Sequence, residues 1–137
     1  MTHRFSIFTL ASLLLLVCVG TSAKKRTFNE AKAIAQRQAT SLGAILSSAS
    51  IETAKRLNAS PATGESRAYY VFPHDKGMGF TIVSGDDLLP EIVAYSDRGT
   101  YDVTKLPDGY KMFLDLYSHL VDDLSHQQPM AVQTASQ

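Results

Sequence analysis

Between Tyr69 and Asp102 the chain reads YYVFPHDKGMGFTIVSGDDLLPEIVAYSDRGTYD, and no other stretch constrains the fold as strongly. Short apolar runs, rich in aromatic and β-branched residues, alternate with clusters of Gly, Pro, Asp and Ser. That is the composition of strands joined by tight turns. Tyr69 to Phe72 is a first run, Pro73 to Gly77 a turn and Gly79 to Ser84 a second run, so the pair reads as a hairpin. Ser84-Gly85-Asp86-Asp87 turns again, Ile92 to Tyr95 follows Pro90 as a third strand, and Thr100 to Asp102 is a marginal fourth.

The flanks change period. Thr27 and Glu30 have capping-box spacing, in which each side chain satisfies an orphan amide at a helix start. The spacing predicts a helix from about Phe28 to Leu42, with Ala31, Ile34, Ala35, Ala39 and Leu42 on one face and Lys32, Gln36 and Arg37 on the other. Ile45 to Leu57 is a weaker second helix, and Asn58 to Gly64 a loop. The strongest helical signal runs from Asp108 to Leu124, where Tyr110, Phe113, Leu114, Tyr117, Leu120, Val121 and Leu124 form an apolar stripe. Pro107 stands at its start, where a missing amide costs little. Helix, antiparallel strands, helix makes an α+β domain: a small antiparallel β-sheet packed by an N-terminal and a C-terminal amphipathic helix. We expect the helices on one sheet face and a more exposed opposite face open to a partner.

Residues 1–23 read as a signal peptide. Arg4 gives a positive start, Phe5 to Val19 is mostly apolar, and Thr21-Ser22-Ala23 are small residues suited to signal peptidase. The apolar run falls short of the roughly 20 residues of a transmembrane helix. Lys24, Lys25 and Arg26 follow directly, which leaves the cut open by a few residues. The chain is therefore expected to be secreted or periplasmic, with no membrane contact after cleavage. A lipoprotein signal at Cys18 is the lesser alternative, because bulky Val17 precedes the cysteine where lipid attachment prefers a small residue.

Removing 23 of the 137 residues leaves 114, divided into a domain over 24–126 and a flexible, Gln- and Ser-rich tail over 127–137. Loss of Arg4 leaves 12 basic residues against 13 acidic, a balance that argues against nucleic acid as a partner. Cleavage also removes Cys18, the single cysteine, so the domain has no disulfide and is expected to be a monomer held by its core. The full chain's apolar content of 45%, even discounted for the apolar leader, makes that feasible.

No catalytic constellation can be nominated, and we expect neither an enzyme nor a metal or other cofactor. Asp86 and Asp87 do not have calcium-loop spacing, and read instead as a turn in which a carboxylate accepts from nearby amides. His74, His119 and His126 offer no i, i+4 zinc pair. Ser84 is not set in a nucleophile elbow. Gly77-Met78-Gly79 lacks a P-loop lysine and serves a turn with positive φ. The set Tyr69, Tyr70, Phe72, Phe80, Tyr95 and Tyr101 reads as cross-strand core pairs.

One resemblance runs through these residues. Gly79-Phe80-Thr81-Ile82-Val83-Ser84-Gly85-Asp86 is similar to the GFVIVSGD phrase of the pro-segments of streptopain-type cysteine proteases. Pro90-Glu91-Ile92 followed by Ala94-Tyr95-Ser96 resembles their PEI-x-GYS, and Gly99 to Asp102 their G-S-F-D. The same module occurs alone as Spi-type protease inhibitors. The resemblance spans about Thr27 to Leu124. It implies non-covalent inhibition of a papain-like cysteine protease of the streptopain type by covering its active-site cleft. It also implies that the segment before the last helix, here Val103, Thr104, Lys105, Leu106, Pro107, Asp108, Gly109 and Tyr110, reaches toward the catalytic centre. This chain has no asparagine there, so the region carries over and no single anchor does. Gly79, Phe80, Ile82, Val83, Ser84, Gly85, Asp86, Pro90, Glu91, Tyr95 and Ser96 are expected to be scaffold. With Gln137 as the last residue, the expectation is an inhibitor without its enzyme. A pro-domain remnant of a truncated zymogen and a non-inhibitory surface-binding module are the alternatives.

Overall fold

The structure, a computed structural model, describes residues 24–59 and 67–134. The signal-peptide reading of residues 1–23 and most of the 58–64 loop lie outside the described residues. Helix α1 spans Phe28–Ser41 and its capping box is formed: Thr27 Oγ1 accepts from the Glu30 amide at 3.3 Å and Glu30 Oε2 accepts from the Thr27 amide at 2.7 Å. Lys24 Nζ donates to the same carboxylate at 2.9 Å. That ion pair, with the Thr27 amide, lowers the Glu30 pKa to about 2. Helix α2 spans Ser48–Leu57 and is capped by the Ser47 hydroxyl. Three strands follow, β1 (Tyr69–Pro73), β2 (Phe80–Ser84) and β3 (Ile92–Ser96), and then helix α3 (Asp108–Thr134).

The sheet has the order β1-β2-β3 and is antiparallel throughout. The β1–β2 hairpin turns through Lys76, Gly77 and Gly79, all at positive φ, as the glycine spacing predicts. Thr100 to Asp102 forms no strand. Gly99, at φ 79°, turns the chain away, and the Asp102 carboxylate takes the Thr104 amide at 2.9 Å and its hydroxyl at 2.6 Å. This local turn supplies the bonds a fourth strand would have made.

The one-sided sheet expected from the sequence is corrected. Every residue of β2 is buried, and the helices sandwich the sheet. Phe72 and Val83 pack with Ala31, Ile34 and Ala35 of α1 and Ala54 of α2 on one face. Val71, Phe80 and Ile82 pack with Leu114 of α3 on the other. The cause is the uncharged FTIVS run, which reads as a strand buried on both faces rather than as an alternating one. Its two hydroxyls are satisfied internally: Thr81 pairs with His74 Nε2 at 2.8 Å, and Ser84 Oγ accepts from the Tyr117 hydroxyl at 2.7 Å. A bulge between Ile82 and Val83 interrupts the β2–β3 register, and Val93 and Ala94 both pack with the second cluster.

The outer edge of β1 is closed by a side chain. Asn58, buried just past α2, accepts from the Val71 amide at 2.9 Å and donates to the Val71 carbonyl at 2.7 Å. It substitutes for a neighbouring strand and blunts an edge that would invite pairing. Asn58→Ala orphans both buried groups of Val71, at roughly 1–3 kcal/mol each where water does not replace the amide. A clear fall in the urea midpoint is expected, and an unchanged midpoint would show that water fills the site.

Helix α3 continues to Thr134, beyond the Leu124 at which the sequence reading ends it, so residues 127–134 have helical backbone. Propagating a nucleated helix costs little per residue. The apolar stripe is divided. Leu114 and Val121 are buried, Tyr110, Tyr117 and Leu124 half-buried, whereas Phe113 and Leu120 face outward.

Candidate functional site

Val103 to Tyr110 leaves the sheet and enters α3. Asp102 fixes its start through the two bonds to Thr104, and the Lys105 amide donates to the Asp102 carbonyl at 3.0 Å. These hydroxyl and amide donors, with Lys105 at 3.4 Å, hold the Asp102 carboxyl below its ordinary range. Leu106 and Tyr110 pack into the second core cluster and anchor the segment at its middle and its end. Between and beside those anchors, Val103, Thr104, Lys105, Pro107, Asp108 and Gly109 are exposed. The result is an outward-facing turn braced by the domain's own contacts.

Two further surfaces adjoin it. A cleft of about 240 Å³ is lined by Tyr69, Tyr101, Val103, Leu106 and Leu114 together with Lys111 and Asp115. It is smaller than the roughly 300–1,000 Å³ of sites for drug-sized ligands, and fits a single side chain better. Burial, then the neighbouring Tyr69 and Tyr110, raises the Tyr101 pKa to about 12, so its hydroxyl stays protonated at neutral pH. The second surface is the outer face of α3, where Met112, Leu116 and Leu120 repeat at i, i+4 and i+8 and are 64%, 58% and 47% exposed. Phe113, with its ring 6.3 Å from both Tyr110 and Tyr117, borders this face. Sequence reasoning missed Met112 and Leu116. Their four-residue spacing with Leu120 was the available signal, overshadowed by the wider stripe beside it.

The motif residues take up different positions in the fold. Gly79 packs its backbone against Ser96, and Gly85 against Arg67. Phe80, Ile82, Val83 and Ser84 form the buried strand. Asp86 is 1% exposed, accepts from the Leu88 amide at 2.9 Å and lies 3.6 Å from Lys25 Nζ. This is the turn carboxylate anticipated from the sequence, with an ion partner the sequence did not reveal. Glu91, next to exposed Pro90, pairs on the surface with Arg37 at 3.2 Å, and its carbonyl accepts from the Ser84 amide. The Ser96 hydroxyl closes the turn after β3 on Arg98. Tyr95 has its side chain exposed on the outer strand. The remaining aromatics are split between the two faces and pair mainly with helices and loops, as Phe72 does with Phe28 at 5.3 Å and Phe80 with Tyr101 at 5.3 Å.

The histidines stay apart. His74 is buried, its ring bonded to the Met78 carbonyl and the Thr81 hydroxyl, while His119 is exposed beside Asp115. Since the Met78 carbonyl can only accept, Nδ1 is the donor in that bond. Among the described residues, no group of three or more His, Cys, Asp and Glu could hold a metal ion, and no helix is long and apolar enough to cross a membrane.

The model of the Spi protease inhibitor family matches residues 23–121 of the chain. The Thiol protease/hemagglutinin PrtT of Porphyromonas gingivalis is 32% identical over 56 residues, which are 41% of this chain. That match spans 6% of the relative's length. No solved structure matches the chain.

Proposed function

Because this chain belongs to the Spi protease inhibitor family, we propose that it is a secreted or periplasmic, non-covalent inhibitor of a papain-like cysteine protease of the streptopain type. In this reading the Val103–Tyr110 turn enters the active-site cleft, and the outer face of α3 rests on the protease beside it. The observation that carries the reading is the braced turn: six exposed residues, three before Leu106 and three between it and Tyr110, with those two side chains anchored in the core. An inhibitor acting in trans lacks the effective concentration of a tethered segment. A preformed turn compensates, since little conformational entropy remains to be lost on binding. Similarity to a protein named a thiol protease supports the class of target. The chain acts here as a ligand for the enzyme and carries out no chemistry itself.

The same similarity favours a second reading, a pro-domain remnant of a truncated zymogen. An in-frame protease remnant in the downstream DNA supports it, and a separate protease gene supports the free inhibitor.

The test spares the anchors Leu106 and Tyr110. Val103→Gly, Lys105→Ser and Asp108→Ser are combined in one variant, and Leu116→Lys is made separately. Both are checked for folding and titrated against a streptopain-type protease. The turn variant is expected to inhibit at least about tenfold less well, a loss of about 1.4 kcal/mol. Asp86→Asn combined with Asp87→Asn, if folded, should inhibit like the parent. A turn variant with undiminished inhibition would remove the turn from the interface.

A further inference from the structure

We propose that Asp87 is the receptor for a new N-terminal ammonium group, generated by cleavage between Ala23 and Lys24. The Lys24 backbone nitrogen lies 2.7 Å from Asp87 Oδ1, and the Asp87 amide donates to the Lys24 carbonyl at 3.1 Å. The short stretch is held in register on both sides of this contact. Lys25 and Asp86 form an antiparallel bridge, and the Arg26 amide donates to the Gly85 carbonyl at 2.8 Å. The Tyr70 hydroxyl fixes the Arg26 carbonyl at 2.7 Å. Lys24 to Arg26 therefore lies as a strap along the turn that follows β2.

Signal peptidase hydrolysis adds one water across the Ala23–Lys24 bond. Ala23 leaves with a carboxylate, and the Lys24 nitrogen takes up protons to become an ammonium. The amide that already donates to Asp87 is thereby replaced by a cation at the same place, and the contact becomes a charge-assisted bond. The geometry selects this position among the small residues of the leader. A cut after Thr21 or Ser22 would put the new charge one or two residues away from Asp87, and lipidation would start the chain at Cys18. The two adjacent acids then have separate tasks: Asp86 faces inward to Lys25, and Asp87 faces outward to the chain end.

The sign of the linkage follows. Asp87 favours the charged amine, so the amine's pKa is raised in the folded chain above the roughly 7.7–8.0 of an ordinary α-amino group. The stabilisation is fully present below that range and is lost as pH rises through the raised value.

The experiment expresses the full chain in a bacterial host with Sec export and measures the intact mass of the exported protein. The mass expected is that of residues 24–137. The α-amino pKa is then measured by NMR titration in the parent and in Asp87→Asn, which keeps the oxygen acceptor and removes the charge. A raised pKa in the parent that falls back in the variant supports the assignment. A mature chain starting elsewhere, or an α-amino pKa that ignores the Asp87→Asn change, overturns it.

Discussion

Replacing Phe72 with alanine is expected to lower the unfolding free energy by roughly 3–5 kcal/mol. Phe72 is fully buried and stands where three elements meet. Its ring lies 5.3 Å from that of Phe28 at the start of α1, and it packs in one cluster with Ala31, Ile34 and Ala35 of α1 and Ala54 of α2. Three of the buried cluster residues around it, Ala31, Ala35 and Ala54, are alanines, which have no longer rotamers with which to fill a void. The cavity term therefore adds to the lost transfer free energy instead of being relaxed away. Urea denaturation of the two proteins measures the difference. A change below about 1 kcal/mol would mean that α1 and α2 collapse onto the sheet, and that the cluster is less close-packed than described.

Gly79→Ala is expected to cost at least as much, for a different reason. Gly79 is at φ 93°, and a Cβ there would lie 1.8 Å from the Ser96 carbonyl oxygen and 2.9 Å from the Arg98 amide nitrogen. Both obstacles are backbone, so no side-chain rotation removes the clash. The hairpin turn or the β3 end must move, and with it the Gly79 amide bond to the Gly99 carbonyl. The cost exceeds the roughly 1–3 kcal/mol of a strained conformation alone. Gly43 supplies the internal control: it too is at positive φ, 72°, yet no atom lies within 4 Å of its added Cβ. Gly43→Ala should show conformational strain only. If the two substitutions shift the thermal midpoint equally, the close approach of the hairpin to β3 is wrong.

The contrast between what the sequence discloses and what it conceals is a contrast of range. The Thr27–Glu30 capping box, the glycine turn of the hairpin and the alanine face of α1 are all written within a few residues, and all form as read. The second face of the sheet was harder. FTIVS carries no charge, but Thr81 and Ser84 are compatible with a one-sided strand, and the two packed clusters together with the long-range partners His74 and Tyr117 show that both sides are covered. Asn58 reads as a loop residue because Val71, whose backbone it satisfies, lies 13 positions away. Lys25, at the start of the domain, meets Asp86 from the middle of its sequence. On α3 the helical period identified an apolar stripe, but the stripe is wider than the contact the sheet offers. Leu114 and Val121 were buried, while Phe113 and Leu120 joined Met112 and Leu116 on an outer face. Periodicity locates apolar residues on a helix and cannot say how far around it the core extends. The exposed turn was locatable only through resemblance, since its own composition is that of any connection between a sheet and a helix.

The proposed role, closure of the active-site cleft of a cysteine protease of the streptopain type, can be tested by binding. The direct measurement is equilibrium binding of residues 24–137 to such a protease, with its cleft either open or filled by a bulky peptide reagent bonded to the catalytic cysteine. The account predicts saturable binding to the open enzyme with matching loss of activity, and binding weakened by at least about tenfold when the cleft is filled. Equal affinity for both forms, or no binding to the open enzyme, would contradict it.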